Sequence, residues 1–196
     1  NLNLNSKIEV LSQFGNDQHE VVSNVLNNGV AQQLAIENKK FNSSTNINYT
    51  QKLSEKKAFT LNLKVQNNAI DEFLKSEIDN SSNYQLQDIS TSYDLKEFEA
   101  KFYQNSGKDK LTYSLGAFYE NNEMQSELKD ESLSNKSINN TSLDRSGLYV
   151  KGSYFKKLND FSINLKGTLS YLNQSLPQVQ LEKQNFLFNP SLNLKY

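Results

Sequence analysis

Alternation of apolar and polar residues, sustained over long runs, constrains this chain more than any other feature. Side chains on a β-strand point to opposite faces in turn, whereas a helix repeats its faces every 3.6 residues. Phe161, Ile163, Leu165, Gly167, Leu169 and Tyr171 share one parity, against Ser162, Asn164, Lys166, Thr168 and Ser170 on the other. The same two-faced pattern begins with Leu2, Leu4, Ile8, Val10 and Phe14 and returns in Phe41, Ile47 and Tyr49. It recurs in Phe59 to Val65, Phe98 to Phe102, Leu111 to Tyr119 and Leu148 to Tyr154, and last in Phe186, Phe188, Leu192, Leu194 and Tyr196. The pattern predicts eight strands, each with one apolar and one polar face.

The spacing between these runs sorts into two kinds. Short polar turns lie near residues 52–56, 106–109 and 156–159, and longer polar stretches fill 15–29, 74–91, 125–145 and 173–181. Short turns at one end and long loops at the other are the arrangement of an outer-membrane barrel, periplasmic and extracellular respectively. Phe161 and Tyr171 bracket Ile163, Leu165 and Leu169. At ~3.3 Å per residue and a tilt of about 40°, they stand roughly 25 Å apart, the height of a lipid-facing band with aromatic girdles.

Register supports the hairpins. Pairing Asn105 with Lys110 sets Phe102 opposite Tyr113 and Ala100 opposite Leu115, and pairing Phe155 with Asp160 sets Tyr154 opposite Phe161 and Val150 opposite Leu165. Both bring apolar to apolar on one face. Two places depart from the pattern. Tyr93 and Leu95 are out of phase with Phe98, Ala100 and Phe102, which predicts a bulge near Lys96 or a later strand start. Residues 17–26 carry Val21, Val22, Val25 and Leu26 at helical spacing, with Asp17 and Glu20 placed as a capping box, and predict a short helix in a loop, with a hairpin as the alternative.

Composition agrees with a membrane barrel. The hydrophobic fraction is 36% and the mean hydropathy −0.72, low for a chain that buries a globular core. Disorder would come with few aromatics and high net charge; this chain has 11 Phe, 10 Tyr and a net charge of −1. A barrel with a polar interior needs only about half of each strand to be apolar. No apolar run is long enough for a transmembrane helix, Cys is absent, and no basic footprint marks a nucleic-acid binder. The chain opens on Asn1-Leu2-Asn3-Leu4-Asn5, already alternating and without Met, and is expected to be processed or cut from a longer one.

Two stretches carry a family resemblance. Phe188-Asn189-Pro190-Ser191-Leu192-Asn193-Leu194-Lys195-Tyr196 is similar to a recurring barrel strand of TonB-dependent receptor-type outer-membrane proteins, especially those of Bacteroidetes-like bacteria. The hairpin Asn48-Tyr49-Thr50-Gln51-Lys52-Leu53-Ser54-Glu55-Lys56-Lys57, leading into Phe59-Thr60-Leu61-Asn62-Leu63, resembles the same family. The resemblance implies an all-β, antiparallel up-and-down transmembrane barrel of about 22 strands in the bacterial outer membrane. An N-terminal plug would fill it and gate uptake of an external ligand with a TonB partner. Residues 1–196 would then form one barrel domain or part of a larger barrel, supplying about eight strands and no plug. The other partners expected are outer-membrane lipid and an unidentified external ligand. Strand runs of 14 to 20 residues exceed the 9–11 that cross a membrane, which also favours a large barrel. Two alternatives stay open: a small closed eight-stranded structural or adhesion barrel, and a soluble extracellular β-sandwich that binds a partner.

No pattern supports an enzyme. The single histidine, His19, lies in a polar stretch, where a solvated residue is the expected role. Asp71-Glu72 and Asp130-Glu131, with Asp79 and Asp88, lack the spacing of a calcium loop. Lys39-Lys40, Lys56-Lys57 and Lys156-Lys157 are small basic clusters, the latter two at the expected periplasmic turns. No catalytic, cofactor or metal residue is assigned, no cofactor is expected, and no residue is singled out as the ligand's contact.

Overall fold

The computed structural model describes residues 6–27, 30–78, 84–130, 135–159 and 161–195. They form one antiparallel sheet of eight strands in sequence order: β1 (Ser6–Asn27), β2 (Val30–Ser54), β3 (Lys57–Ile78), β4 (Tyr84–Asn105), β5 (Asp109–Asp130), β6 (Asn135–Leu158), β7 (Phe161–Leu176) and β8 (Leu181–Lys195). A single 3₁₀ turn, Pro177–Val179, joins β7 to β8. β1 and β8 are the two edges and the sheet stays open between them. The eight strands make one sheet, so the two packed sheets of a sandwich have no counterpart.

The expected eight strands are present, and they are longer than the apolar runs that announced them. β2 has 25 residues and β1, β3, β4 and β5 have 22 each, so most of the long polar stretches are paired strand. Cross-strand polar pairs hold these extensions: Ser12 Oγ lies 3.1 Å from Thr45 Oγ1, and Asn67 Nδ2 donates to Asp94 Oδ1 at 2.6 Å. The helix expected over residues 17–26 is not formed; β1 pairs with β2 residue for residue from Asn27↔Val30 to Ser6↔Gln51. Its valines are β-branched and favour a strand once a partner is available. The bulge expected near Lys96 is absent too, because β4 keeps one register with β3 and with β5 throughout. The irregularity lies instead between Lys52 and Ser54, at the β2–β3 hairpin.

The hairpin of β4 and β5 has the expected register, Phe102↔Tyr113 and Ala100↔Leu115. That of β6 and β7 is tighter than expected: Leu158 pairs with Phe161, Tyr154 with Leu165 and Val150 with Leu169. Asn159 adopts φ 51°, a left-handed conformation that Asn tolerates and a two-residue turn requires. The slip is even-numbered, so it leaves every side chain on its face. Parity alone does not distinguish the two registers, and the turn decides.

The apolar residues form an oblique band on one face, called outward here. Its lower edge runs through the paired residues Ile8↔Tyr49, then Phe59↔Phe102, then Leu111↔Tyr154, then Ile163↔Leu194. Below the first three of these pairs comes a polar pair: Ser6↔Gln51, Lys57↔Gln104 and Asp109↔Lys156. Each step along this series crosses two strands and descends two residues in register. One residue per strand, at ~3.3 Å rise and ~4.8 Å spacing, corresponds to strands tilted by about 35° from the normal of a level band, within the tilt of membrane barrels. On β7 the band runs from Ile163 to Tyr171, roughly 22 Å in height at that tilt.

Burial runs opposite to that of a globular sheet. Phe186 is 76% exposed, Leu115 58% and Leu169 53%. The buried residues among those described are Glu99, Gly116, Tyr149, Ser114 and Gly147, and all share the other, inward parity.

Candidate functional site

The sheltered part of the inward face lies behind the apolar band, on β4, β5 and β6. Glu97, Glu99 and Lys101 occupy alternate positions of β4, and the register sets Glu99 beside Gly116 and Lys101 beside Ser114. On the far side of β5 stand Tyr149 and Lys151 of β6, opposite Gly116 and Ser114. Six polar side chains therefore surround a glycine.

That glycine makes the geometry possible. A Cβ at Gly116 would lie 2.2 Å from the Tyr149 ring, so the ring rests flat across β5 at the one position without a side chain. It thereby reaches past its neighbouring strand, and Tyr149 Oη donates to Glu97 Oε1 at 2.7 Å on β4. The next rung repeats the device in reverse: Phe118 pairs with Gly147, and its ring lies 2.7 Å from where a Cβ would sit. Such aromatic cover of glycines pins register in strongly bent sheets.

Electrostatics complete the cluster. Glu99, 8% exposed, takes Lys101 Nζ at 3.0 Å on one oxygen and Lys151 Nζ at 3.7 Å on the other, with Ser114 as a hydrogen-bond donor. Lys151 Nζ also sits 3.9 Å from the centroid of the Tyr149 ring, in cation–π range. One turn of the pattern higher, Arg145 Nη1 donates to Glu120 Oε2 at 3.3 Å and Asn122 Nδ2 to Glu120 Oε1 at 3.0 Å. Each carboxylate thus has donors on nearby strands, which builds a paired polar wall.

Above the band the inward face changes character. Ile70, Tyr93, Met124 and Leu143 line a hollow of about 380 Å³, rimmed by Asn68, Asn122, Thr91 and Thr141. Apolar walls with a few amides and hydroxyls are the usual lining of a small-molecule site.

The residues weighed in the sequence do not assemble into a second site. His19 stands in β1 with Nε2 2.9 Å from Asp17 Oδ2, and both are exposed. Asp71 accepts from Ser90 Oγ at 2.7 Å on the outward face, while Glu72, as its strand neighbour, points the other way. Lys39 pairs with Glu37 at 2.9 Å. Asp79, Glu131 and the side chain of Asp130 lie outside the described residues. Among the described residues no three His, Cys, Asp or Glu side chains are placed to share a metal ion. The Tyr149 cluster went unseen in the sequence, although Glu97-x-Glu99-x-Lys101 on the polar parity was its trace.

No family model matches the chain, and no curated protein does. Solved structures match in fold. The RagAB peptide importer in its open-open state aligns with a TM-score of 0.53 and 9% identity, over 80% of this chain and 20% of that one. BauA, the ferric preacinetobactin receptor from Acinetobacter baumannii, gives 0.38 and 9%, over 96% and 44%. The ferric citrate transporter FecA gives 0.34 and 9%, over 96% and 40%. The chain spans less than half the length of each. At such identities the likeness is one of fold, and of the three only the RagAB superposition is close enough to bear on it.

Proposed function

We propose that this chain is part of the wall of an outer-membrane β-barrel of the TonB-dependent receptor type, which takes up an external ligand. The observation that carries the reading is the oblique apolar band, exposed outward, with charged and hydroxyl side chains sheltered behind it. A water-soluble sheet would bury the apolar face; a membrane wall exposes it to lipid and keeps a polar lumen. The step of one residue per strand gives the tilt such a wall needs. The open edges β1 and β8 fit a wall continued by further strands, and the hollow above the band suits a vestibule that meets the ligand first. The RagAB fold likeness favours uptake as the role. A plug domain and TonB are the partners this reading implies.

Fractionation tests it directly. The protein should sediment with the outer membrane, require detergent for extraction and run faster on an unheated gel than on a heated one. A monomer that stays in solution without detergent would refute the reading.

A further inference from the structure

We propose that the three hairpin tips form a lysine collar that binds anionic phospholipid headgroups in the leaflet at the turn end. The collar rests on the barrel reading above, in which the apolar band faces lipid. Residues 52–57, 108–110 and 156–160 hold seven lysines against Glu55, Asp109 and Asp160, in a chain whose net charge is −1. Backbone bonds tie the tips side by side: Asn105 N donates to the Lys56 carbonyl at 2.7 Å, and Lys157 N to that of Lys108 at 2.9 Å. Lys57 and Lys156 stand on the outward face, opposite Gln104 and Asp109, and Lys56 and Lys108 lie in the turns.

These four lysines differ from those at the other end of the same face. Above the band, Lys39 pairs with Glu37, Lys75 with Glu77, and Lys129 and Lys136 with Glu127, Lys96 being the exception. At the turn end none of the four has an ion pair among the described residues. Asp109 stands opposite Lys156 in register, yet its Oδ1 accepts from Tyr154 Oη at 3.3 Å. Like charges left free on one rim add to a positive potential that attracts anions.

Position selects the anion. Lys57 and Lys156 lie two residues beyond Phe59 and Tyr154 at the lower edge of the band, roughly 5 Å further from the bilayer centre at ~3.3 Å per residue. The headgroup layer is about 5–8 Å deep on each side of the hydrocarbon core, which sets these lysines at the level of the phosphates. They are three strand spacings apart, roughly 14 Å at ~4.8 Å each, so separate lipid molecules meet separate lysines. A lipid held by its headgroup here lays its chains on Phe59, Phe102 and Leu111 of the band.

The test uses the protein purified from membranes and returned to phosphatidylcholine bilayers. Spin-labelled phosphatidylglycerol should be enriched over spin-labelled phosphatidylcholine in the protein-restricted lipid by roughly twofold or more. The ratio should fall to about one in 1 M NaCl. It should fall likewise in Lys56→Gln/Lys57→Gln/Lys108→Gln/Lys156→Gln, and partly in Lys57→Gln/Lys156→Gln. The quadruple Arg variant and Lys39→Gln/Lys129→Gln, which lies above the band, should keep it. Equal partition of the two lipids at the native protein, or full preference in a folded quadruple Gln variant, would overturn the proposal. So would loss of the preference in 10 mM inorganic phosphate at constant ionic strength, which would assign the lysines to free phosphate. A native protein that restricts no lipid and shows no heat-dependent gel shift would remove the barrel reading, and the collar with it.

Discussion

The lower and upper halves of β4 put their apolar residues on opposite faces. Phe98, Ala100 and Phe102 face outward, while Leu95, Tyr93 and Ile89, on the same unbroken strand, face inward. β3 and β5 switch likewise, from Leu61 and Leu63 to Ile70 and Leu74, and from Leu115 and Ala117 to Met124 and Leu128. Outward positions above the switch become Asp71, Asp88, Ser90 and Glu127, with Phe73 an apolar exception. Backbone pairing is the same in both halves, so the strand does not dictate which face is apolar; its surroundings do. In the proposed barrel, the outward face of the lower half meets lipid. Above, the outward face meets water and the inward face forms the walls of the hollow.

The strongest way to break this contrast is a charge placed on each half. Leu169→Arg, in the middle of the band, should cost about 2–4 kcal/mol in a bilayer and reduce assembly into membranes. Ser90→Arg, outward but above the band, should stay within about 0.5 kcal/mol. Urea midpoints in lipid vesicles compare them, and equal losses would mean that the band does not face lipid.

A smaller effect sharpens the inward side. Gly116→Ala forces the Tyr149 ring off β5 and should cost about 1–3 kcal/mol through overpacking. Tyr149→Phe removes only the bond to Glu97 and should cost about 1 kcal/mol. In the double variant Gly116→Ala/Tyr149→Ala the two losses should be less than additive, because the clash needs both partners.

The smallest expected effect lies at the upper rim, outside the band. Lys129 and Lys136 hold the Glu127 carboxyl below its usual range, by hydrogen bonds at 2.8 and 2.9 Å. Because the folded value is the lower one, this contribution is complete above the carboxyl's ordinary range and is lost as the pH falls through the depressed value. A carboxyl titration followed by NMR should find Glu127 depressed relative to Lys129→Ala/Lys136→Ala, where the value should rise.

Much of the lower half was legible in the sequence, since an apolar face backed by a polar one imposes strict alternation there. Strand number and the outward set followed from parity, and the β4–β5 register from parity together with its turn. The upper half was not, because its outward positions carry polar residues and the pattern reverses phase. Tyr93 and Leu95 then read as a bulge, and Val21, Val22 and Val25 as a helix, where each is an ordinary strand position with its phase reversed or doubled. The Tyr149 cluster escaped for another reason. It depends on a ring crossing an intervening strand at Gly116, a relation among three strands that no single stretch of sequence contains.

In the proposed barrel the outward parity of the lower half faces lipid. The chain has no cysteine, so nitroxide labels at single cysteines can walk along β7 and up β4 in the protein embedded in bilayers. Labels at Leu165, Leu169 and Phe98 should be accessible to oxygen and shielded from a water-soluble nickel chelate. Labels at Lys166, Thr168 and the upper outward Ser90 should show no such preference. Oxygen accessibility that fails to alternate between Leu165 and Thr168, or that continues outward to Ser90, would contradict the account.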